Sequence, residues 1–201
     1  MVKESTMAHK MQFIFLIIGI FIAGGESVYS EPATREIAGV RFDENIIVDG
    51  QLFKLENIGL LRYKIIFKVY AAALYLGGEC TVKDVFKDVP KRLELIYFSS
   101  IAAEDLALSS DKVLQRNVSK QQFEEMRSQV KKLYQSYQDV KPKDRYVLTY
   151  IPGKGTEMTL NAKSLITIQG ADFAKAYFSI WLGNQPLDKD LRDTLLGIVK
   201  E

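Results

Sequence analysis

Arg62, Tyr70 and Tyr75 stand inside the most strand-like run of the sequence, Gly59-Leu-Leu-Arg-Tyr-Lys-Ile-Ile-Phe-Lys-Val-Tyr-Ala-Ala-Ala-Leu-Tyr-Leu-Gly-Gly78. Its first half is β-branched and aromatic and its second half is rich in alanine, a composition that suits a central strand covered on both faces. An arginine cannot discard its charge. Facing the interior, Arg62 needs a carboxylate, carbonyls or an anionic ligand; at an edge it simply reaches water. Both readings stand on the sequence alone. Even spacing puts Arg62 and Tyr70 on one face of a strand. A straight strand would separate them by about 26 Å at roughly 3.3 Å per residue. They share a ligand only if the chain bends or reverses between them, near Lys64.

The residues absent from the chain restrict the chemistry further. His9 is the only histidine among the 201 residues, and it lies in the N-terminal leader. Ser-His-Asp and Cys-His catalysis and His-ligated zinc are therefore not expected of the rest of the chain. Arg, Lys, Tyr, Asp and Glu remain for any catalysis, and no catalytic residue stands out. Cys80 is the only cysteine, which excludes an intrachain disulfide. Asp49, Asp84 and Asp88 form no ligand-like pattern, so neither metal nor cofactor is expected. Gly153-Lys-Gly-Thr156 lacks the first glycine of a phosphate loop and joins two expected strands. Asn117-Val-Ser119 matches a glycosylation acceptor but falls at a helix–helix corner. A net charge of +2 gives no reason to expect a nucleic-acid partner.

The first thirty residues read as a secretory signal peptide. Lys3 and Lys10 precede an apolar run over 13–23, followed by Gly24, Gly25 and small residues. Cleavage is expected after Ser30, with 31–35 as a lead-in and 36–201 as one domain. The run is about half of the roughly 20 residues a membrane span needs. Membrane contact is expected only through this segment, if it stays uncleaved. The expected location is exported, in the periplasm.

The elements that must position Arg62 and Tyr70 follow in order. A strand is expected over 37–42, then a hairpin over 46–55 turned by Asp49-Gly50. Asn57 and Gly59 break the pattern before the long run, which is read as one strand over 59–78. A short helix over 82–87 and a strand over 92–98 follow. A helix over 102–117 and a second, opened by the capping box Ser119-Lys-Gln-Gln122 and closed by Pro142, form the middle. Phe123, Met126, Val130, Leu133, Tyr134 and Tyr137 make one apolar stripe on the second, read as core packing. Strands over 145–151, 156–160 and 164–169 form a meander. A mostly apolar helix over 171–182 should be buried, with Gly183 at its C-cap. A last helix runs from near Asp188 to Gly197. Helices gathered between antiparallel hairpins argue for the α+β class.

The segment from Arg62 to Leu76 resembles the chalcone isomerase-like family, in its bacterial exported branch. Tyr150-Ile-Pro-Gly-Lys-Gly-Thr156, the helix from Gly170 to Gly183 and Pro186-Leu-Asp-Lys-Asp-Leu-Arg-Asp-Thr-Leu-Leu-Gly197 agree with it. The resemblance implies an open-faced β-sandwich, a large antiparallel sheet covered on one face by helices with a cleft between. It also implies either cofactor-free closure of a chalcone, an intramolecular lyase reaction, or fatty-acid binding without catalysis. In both cases an arginine before the central strand holds an anionic group, and Arg62 is similar to it. Tyr70 takes the next polar position, a threonine in the enzymes and a tyrosine in the fatty-acid binders. The catalytic tyrosine and asparagine of the enzymes flank a run similar to Ser110-Asp-Lys-Val113. Their positions fall on Ser109 and Arg116, with Asn117 one step later, so neither residue is kept. The expectation is a non-catalytic domain holding a small apolar carboxylate through Arg62 and Tyr70, its tail on Phe67, Phe173 and Trp181. The alternatives are a lyase of the chalcone isomerase type, or a structural module in which Arg62 pairs internally with Glu56 or Glu104.

Overall fold

The computed structural model describes residues 33–64 and 66–198. The expected signal peptide, residues 1–30, lies outside the described residues, as does the start of the lead-in.

Strands β1 (Thr34–Ile37) and β2 (Val40–Asp43) form a separate two-stranded hairpin. This corrects the expected single strand over 37–42. Ala38 and Gly39 both take positive φ, 55° and 84°, the geometry of a two-residue hairpin turn. An Ala-Gly pair announces that turn less clearly than the Asp49-Gly50 pair, which turns β3 (Asn45–Val48) into β4 (Gln51–Tyr63) as expected.

The long run is not one strand. β4 continues through Asn57 and Gly59 to Tyr63, the chain reverses, and β5 (Phe67–Gly77) returns beside it. Lys64 adopts φ 47° and its carbonyl accepts the Ile66 amide at 2.7 Å. A run of β-formers with no Asn, Asp or Gly at its centre hides such a turn from composition. The break at Asn57 and Gly59 marks a docking point. The Asn57 amide donates to the Leu195 carbonyl at 3.2 Å, and a Cβ on Gly59 would lie 2.6 Å from Leu191 Cδ1.

The expected short helix shrinks to a 3-10 turn, Val82–Asp84, because its amides bond only three residues back: Asp84 to Thr81, Val85 to Val82 and Lys87 to Asp84. After β6 (Lys91–Tyr97) come α1 (Ala103–Asn117) and α2 (Lys120–Ser136). Both bonds of the Ser119 capping box form: the Gln122 amide donates to Ser119 Oγ at 3.2 Å, and the Ser119 amide to Gln122 Oε1 at 2.9 Å. α2 stops at Ser136, short of Pro142. Ser136 Oγ donates back to the Leu133 carbonyl at 2.7 Å and Tyr137 turns extended. The chain beyond is held by a bridge between Val140 and Ile101. β7 (Arg145–Ile151), β8 (Gly155–Leu160) and β9 (Lys163–Ile168) form the expected meander, followed by α3 (Ala171–Leu182) and α4 (Lys189–Leu195).

The main sheet is antiparallel, ordered β3-β4-β5-β6-β7-β8-β9. Alternation along β5 divides the interior. Tyr70, Ala72, Leu74 and Leu76 enter the core under the helices, while Ala71, Ala73 and Tyr75 meet Phe42 and Phe53 beneath the β1–β2 hairpin. β5 is thus a central strand buried on both faces, as its composition requires. The fold is α+β, a curled antiparallel sheet with its helices on one face. α3 is as buried as expected. Gly183 does cap it, but in extended geometry. A Cβ there would sit 2.4 Å from Asn117 Oδ1 and 2.6 Å from the Ser179 carbonyl. Close approach, and not a left-handed conformation, requires this glycine.

Candidate functional site

Neighbouring strands β5, β6 and β7 each present a tyrosine to the helix layer. The ladder pairs Tyr70 with Tyr97 and Leu95 with Tyr146, which brings the three rings into one row. Tyr70 and Tyr97 meet edge to face at 5.4 Å between centroids, and Tyr97 and Tyr146 at 6.2 Å. The helix layer answers with Tyr137 from the end of α2, and with Tyr177 and Trp181 one turn apart on α3. These side chains enclose a cavity of about 60 Å3, completed by Leu95, Leu106, Ser110, Met158, Ile180 and Leu187 among others.

Hydrogen bonds order the phenols. Trp181 Nε1 donates to the Tyr70 oxygen at 3.1 Å. The Tyr137 and Tyr177 hydroxyls bond each other, and Ser110 Oγ lies 3.3 Å from the Tyr137 hydroxyl. Tyr146 clamps the α2 exit, donating to the Gln138 carbonyl at 3.0 Å and accepting the Gln138 amide at 2.7 Å. Burial pushes the phenols of Tyr70, Tyr97, Tyr137 and Tyr146 above the ordinary tyrosine range. They are neutral near neutrality, where they serve as hydrogen-bond donors and not as bases. With Trp181 already donating to its oxygen, Tyr70 keeps its own O–H to offer to a ligand oxygen.

Tyr70 therefore lines the cavity, 4 % exposed. The reversal at Lys64 brings Arg62 across the ladder from Lys68, one strand away from Tyr70, roughly 7–8 Å between Cα atoms for such a diagonal pair. A bulge between Leu61 and Arg62 shifts the register there. The Arg62 side chain is exposed and is not part of the cavity wall. The structure thus brings the two backbones together while leaving the guanidinium at the surface. Of the expected tail contacts, Phe173 and Trp181 are buried under the helix layer, and Phe67 is exposed. The other phenols were hidden in the sequence. Tyr97 and Tyr146 read as strand residues, and Tyr137 and Tyr177 as helix core. The only signal was the recurrence of tyrosine where an aliphatic residue would suffice.

A second buried polar centre lies farther along the same face. Lys91, 1 % exposed, donates to the Lys87 carbonyl at 2.8 Å. Its ammonium stands 5.1 Å from the Tyr150 ring and 5.9 Å from that of Phe178. Desolvation lowers its pKa to about 8. Tyr150 donates to Asp88, and burial together with that carboxylate raises the phenol to about 12. The larger concavity, about 750 Å3, runs between the α1–α2 corner and α3 over amides and charges of both signs, including Arg116, Glu125 and Lys175. Asn117 is tied up there: its amide donates to the Val113 and Gln185 carbonyls, and its Oδ1 accepts the Gln185 amide.

The sequence model of a family described as chalcone isomerase-like matches residues 34–197. No curated protein matches the chain. Among solved structures the chain is similar to a fatty-acid binding protein of Arabidopsis thaliana, with a TM-score of 0.62 at 15% identity, over 82% of this chain and 96% of that one. At that identity the likeness is one of fold.

Proposed function

The chain belongs to the chalcone isomerase-like family, and from that premise we propose that it is a non-catalytic, exported domain that binds a small apolar carboxylate. Tyr70 carries the reading: it is a neutral phenol at the wall of an apolar cavity, ordered by Trp181 and one strand from a permanent cation. The carboxylate is held at the cavity mouth by Arg62, swung in from the ribbon, and by the Tyr70 O–H. The fatty-acid ligand of the Arabidopsis protein supports the same ligand class here. The signal-like leader supports export to the periplasm and the bacterial branch of the family.

Ligand pockets commonly enclose about 300 Å3 or more, so a cavity of about 60 Å3 must widen to admit an alkyl tail. In its wall Met158 is unbranched and Leu106 and Leu187 are only half-buried, so these are the side chains expected to rearrange. Catalysis of the chalcone type finds no support in the α1 positions. Ser109 lines the cavity without offering a phenol, and Asn117 is spent on the corner between α1 and the chain after α3. Chalcone cyclisation is expected to stay at the uncatalysed rate.

Trp181 is the chain's only tryptophan, so its emission reports directly on the cavity. Titration with saturated fatty acids of increasing length is expected to shift that emission and to saturate. Tyr70→Phe should weaken binding about tenfold or more, the value of one hydrogen bond to a charged group. Emission that ignores every chain length, with the fold intact, would remove the reading.

A further inference from the structure

The β4–β5 hairpin outruns the sheet that carries it. β3 pairs with β4 only from Gln51 to Lys54, and β6 pairs with β5 only from Tyr70 to Leu76. Beyond Leu61 and Val69 the hairpin projects as a two-stranded ribbon with no third strand among the described residues, about 10 Å long at three residues per strand, tied to the chain after β6 where Ser99 Oγ donates to the Lys68 carbonyl at 3.2 Å. Its end is apolar where water should make it polar. Tyr63, Ile66 and Phe67 are 60%, 74% and 59% exposed, three of the large hydrophobics most open to solvent among the described residues. Such a cluster marks a contact surface.

The charge on the ribbon itself has one sign. Arg62, Lys64 and Lys68 alternate with the apolar residues, and no acid occurs between Glu56 and Glu79. Lys141 and Lys143 add two exposed cations on the adjoining loop, where the Lys143 amide donates to the Tyr97 carbonyl. Of the acids in the flanking segments, Asp139 and Asp144 are engaged by hydrogen bonds. Asp139 accepts the Ala103 amide, Asp144 is buried against Lys141 N and Asn161, and Glu104 and Asp105 lie in the first turn of α1. Aromatic and aliphatic side chains at a tip collared by cations match a bilayer with anionic headgroups: the tip enters the acyl boundary and the collar meets the phosphates.

We propose that this ribbon, residues 61–64 and 66–69, docks the protein on an anionic lipid surface by inserting Tyr63, Ile66 and Phe67 beneath a ring of Lys64 and Lys68. Tyr70 of the cavity wall follows directly on the inserted strand, so docking places the cavity against the bilayer. The inference stands on the ribbon alone and does not require a ligand in the cavity.

The test uses the chain from Pro32 onward, which forms one compact unit with both cores. It is sedimented with vesicles of phosphatidylcholine, with and without phosphatidylglycerol. Binding is expected to the anionic vesicles and to fall steeply in about 0.5 M salt. Ile66→Asp with Phe67→Asp should weaken it at least about tenfold. Lys64→Gln with Lys68→Gln, which keeps the apolar tip, should weaken it about fivefold per cation. Thermal unfolding should stay unchanged in both, since all four side chains are exposed. Failure of the wild type to sediment, or binding by both variants equal to that of the wild type, overturns the proposal. So does a dimer that depends on Ile66 and Phe67 without lipid, which would make the ribbon a protein interface. Fatty-acid titrations without vesicles read the cavity separately.

Discussion

At the residue scale the molecule is governed by how few charges its helix-side core admits. Lys91 is one that it does admit, held by one carbonyl and two aromatic faces. Its folded-state pKa of about 8 lies below its ordinary 10.5. Between those values the unfolded chain binds more protons, so this residue makes stability rise as pH increases from about 8 toward 10.5. Lys91→Met removes the buried charge at matched length. It is expected to hold or raise stability at pH 7 by on the order of 1 kcal/mol and to flatten the alkaline rise, as urea unfolding at two pH values would show. A loss of several kcal/mol would mean that the ammonium is a needed contact. The buried phenols act with the opposite sign. Their pKa values are raised on folding, so their contribution is complete below the ordinary phenol value of about 10 and fades as pH climbs past it. The tyrosinate absorbance of these buried phenols should therefore appear together with alkaline unfolding, not before it.

At the scale of elements, two contacts decide where helices begin and how they meet. Ser119→Ala removes the α2 cap and should cost about 1 kcal/mol. Gly183→Ala drives a methyl group into Asn117 and the Ser179 carbonyl; a cost of about 1–3 kcal/mol is expected from such overpacking. Urea midpoints check both, and an unchanged Gly183→Ala midpoint would mean that the α1–α3 corner yields freely. These same elements show what the sequence carried. The Ser119 box, the meander and the buried α3 were legible because capping chemistry, period-two alternation and continuous apolarity are local signals. The reversal at Lys64 was not, because Lys-Ile-Ile carries no turn residue and the reversal is imposed by the pairing of β4 with β5. Asn57 and Gly59 were misread for the complementary reason: their role is set by α4, more than 130 residues away. Arg62 and Tyr70 were found as residue types. Their approach depends on that reversal, and the phenol cluster around Tyr70 depends on strand order.

At the scale of the whole molecule, one sheet divides two unequal tasks. Its centre, from Ala71 to Leu76, is fully enclosed between two cores and hydrogen-bonded on both edges. Among the described residues its projecting end is exposed and pairs with no third strand. Hydrogen exchange should grade accordingly, slowest over residues 71–76 and fastest over 62–68; uniform protection along the hairpin would contradict this division. The cavity sits where the two regimes meet, with Tyr70 on the rigid side and Arg62 on the open one. The central claim is that this junction holds an apolar carboxylate. Its most direct test is mass spectrometry of what purifies with the chain from Pro32 onward, paired with the Arg62→Ala variant. Fatty-acid-like carboxylates are expected on the wild type, with affinity lowered about tenfold or more in the variant, the worth of a charge-assisted contact. A protein that purifies empty, and whose affinity for added fatty acids is the same with and without Arg62, would contradict it.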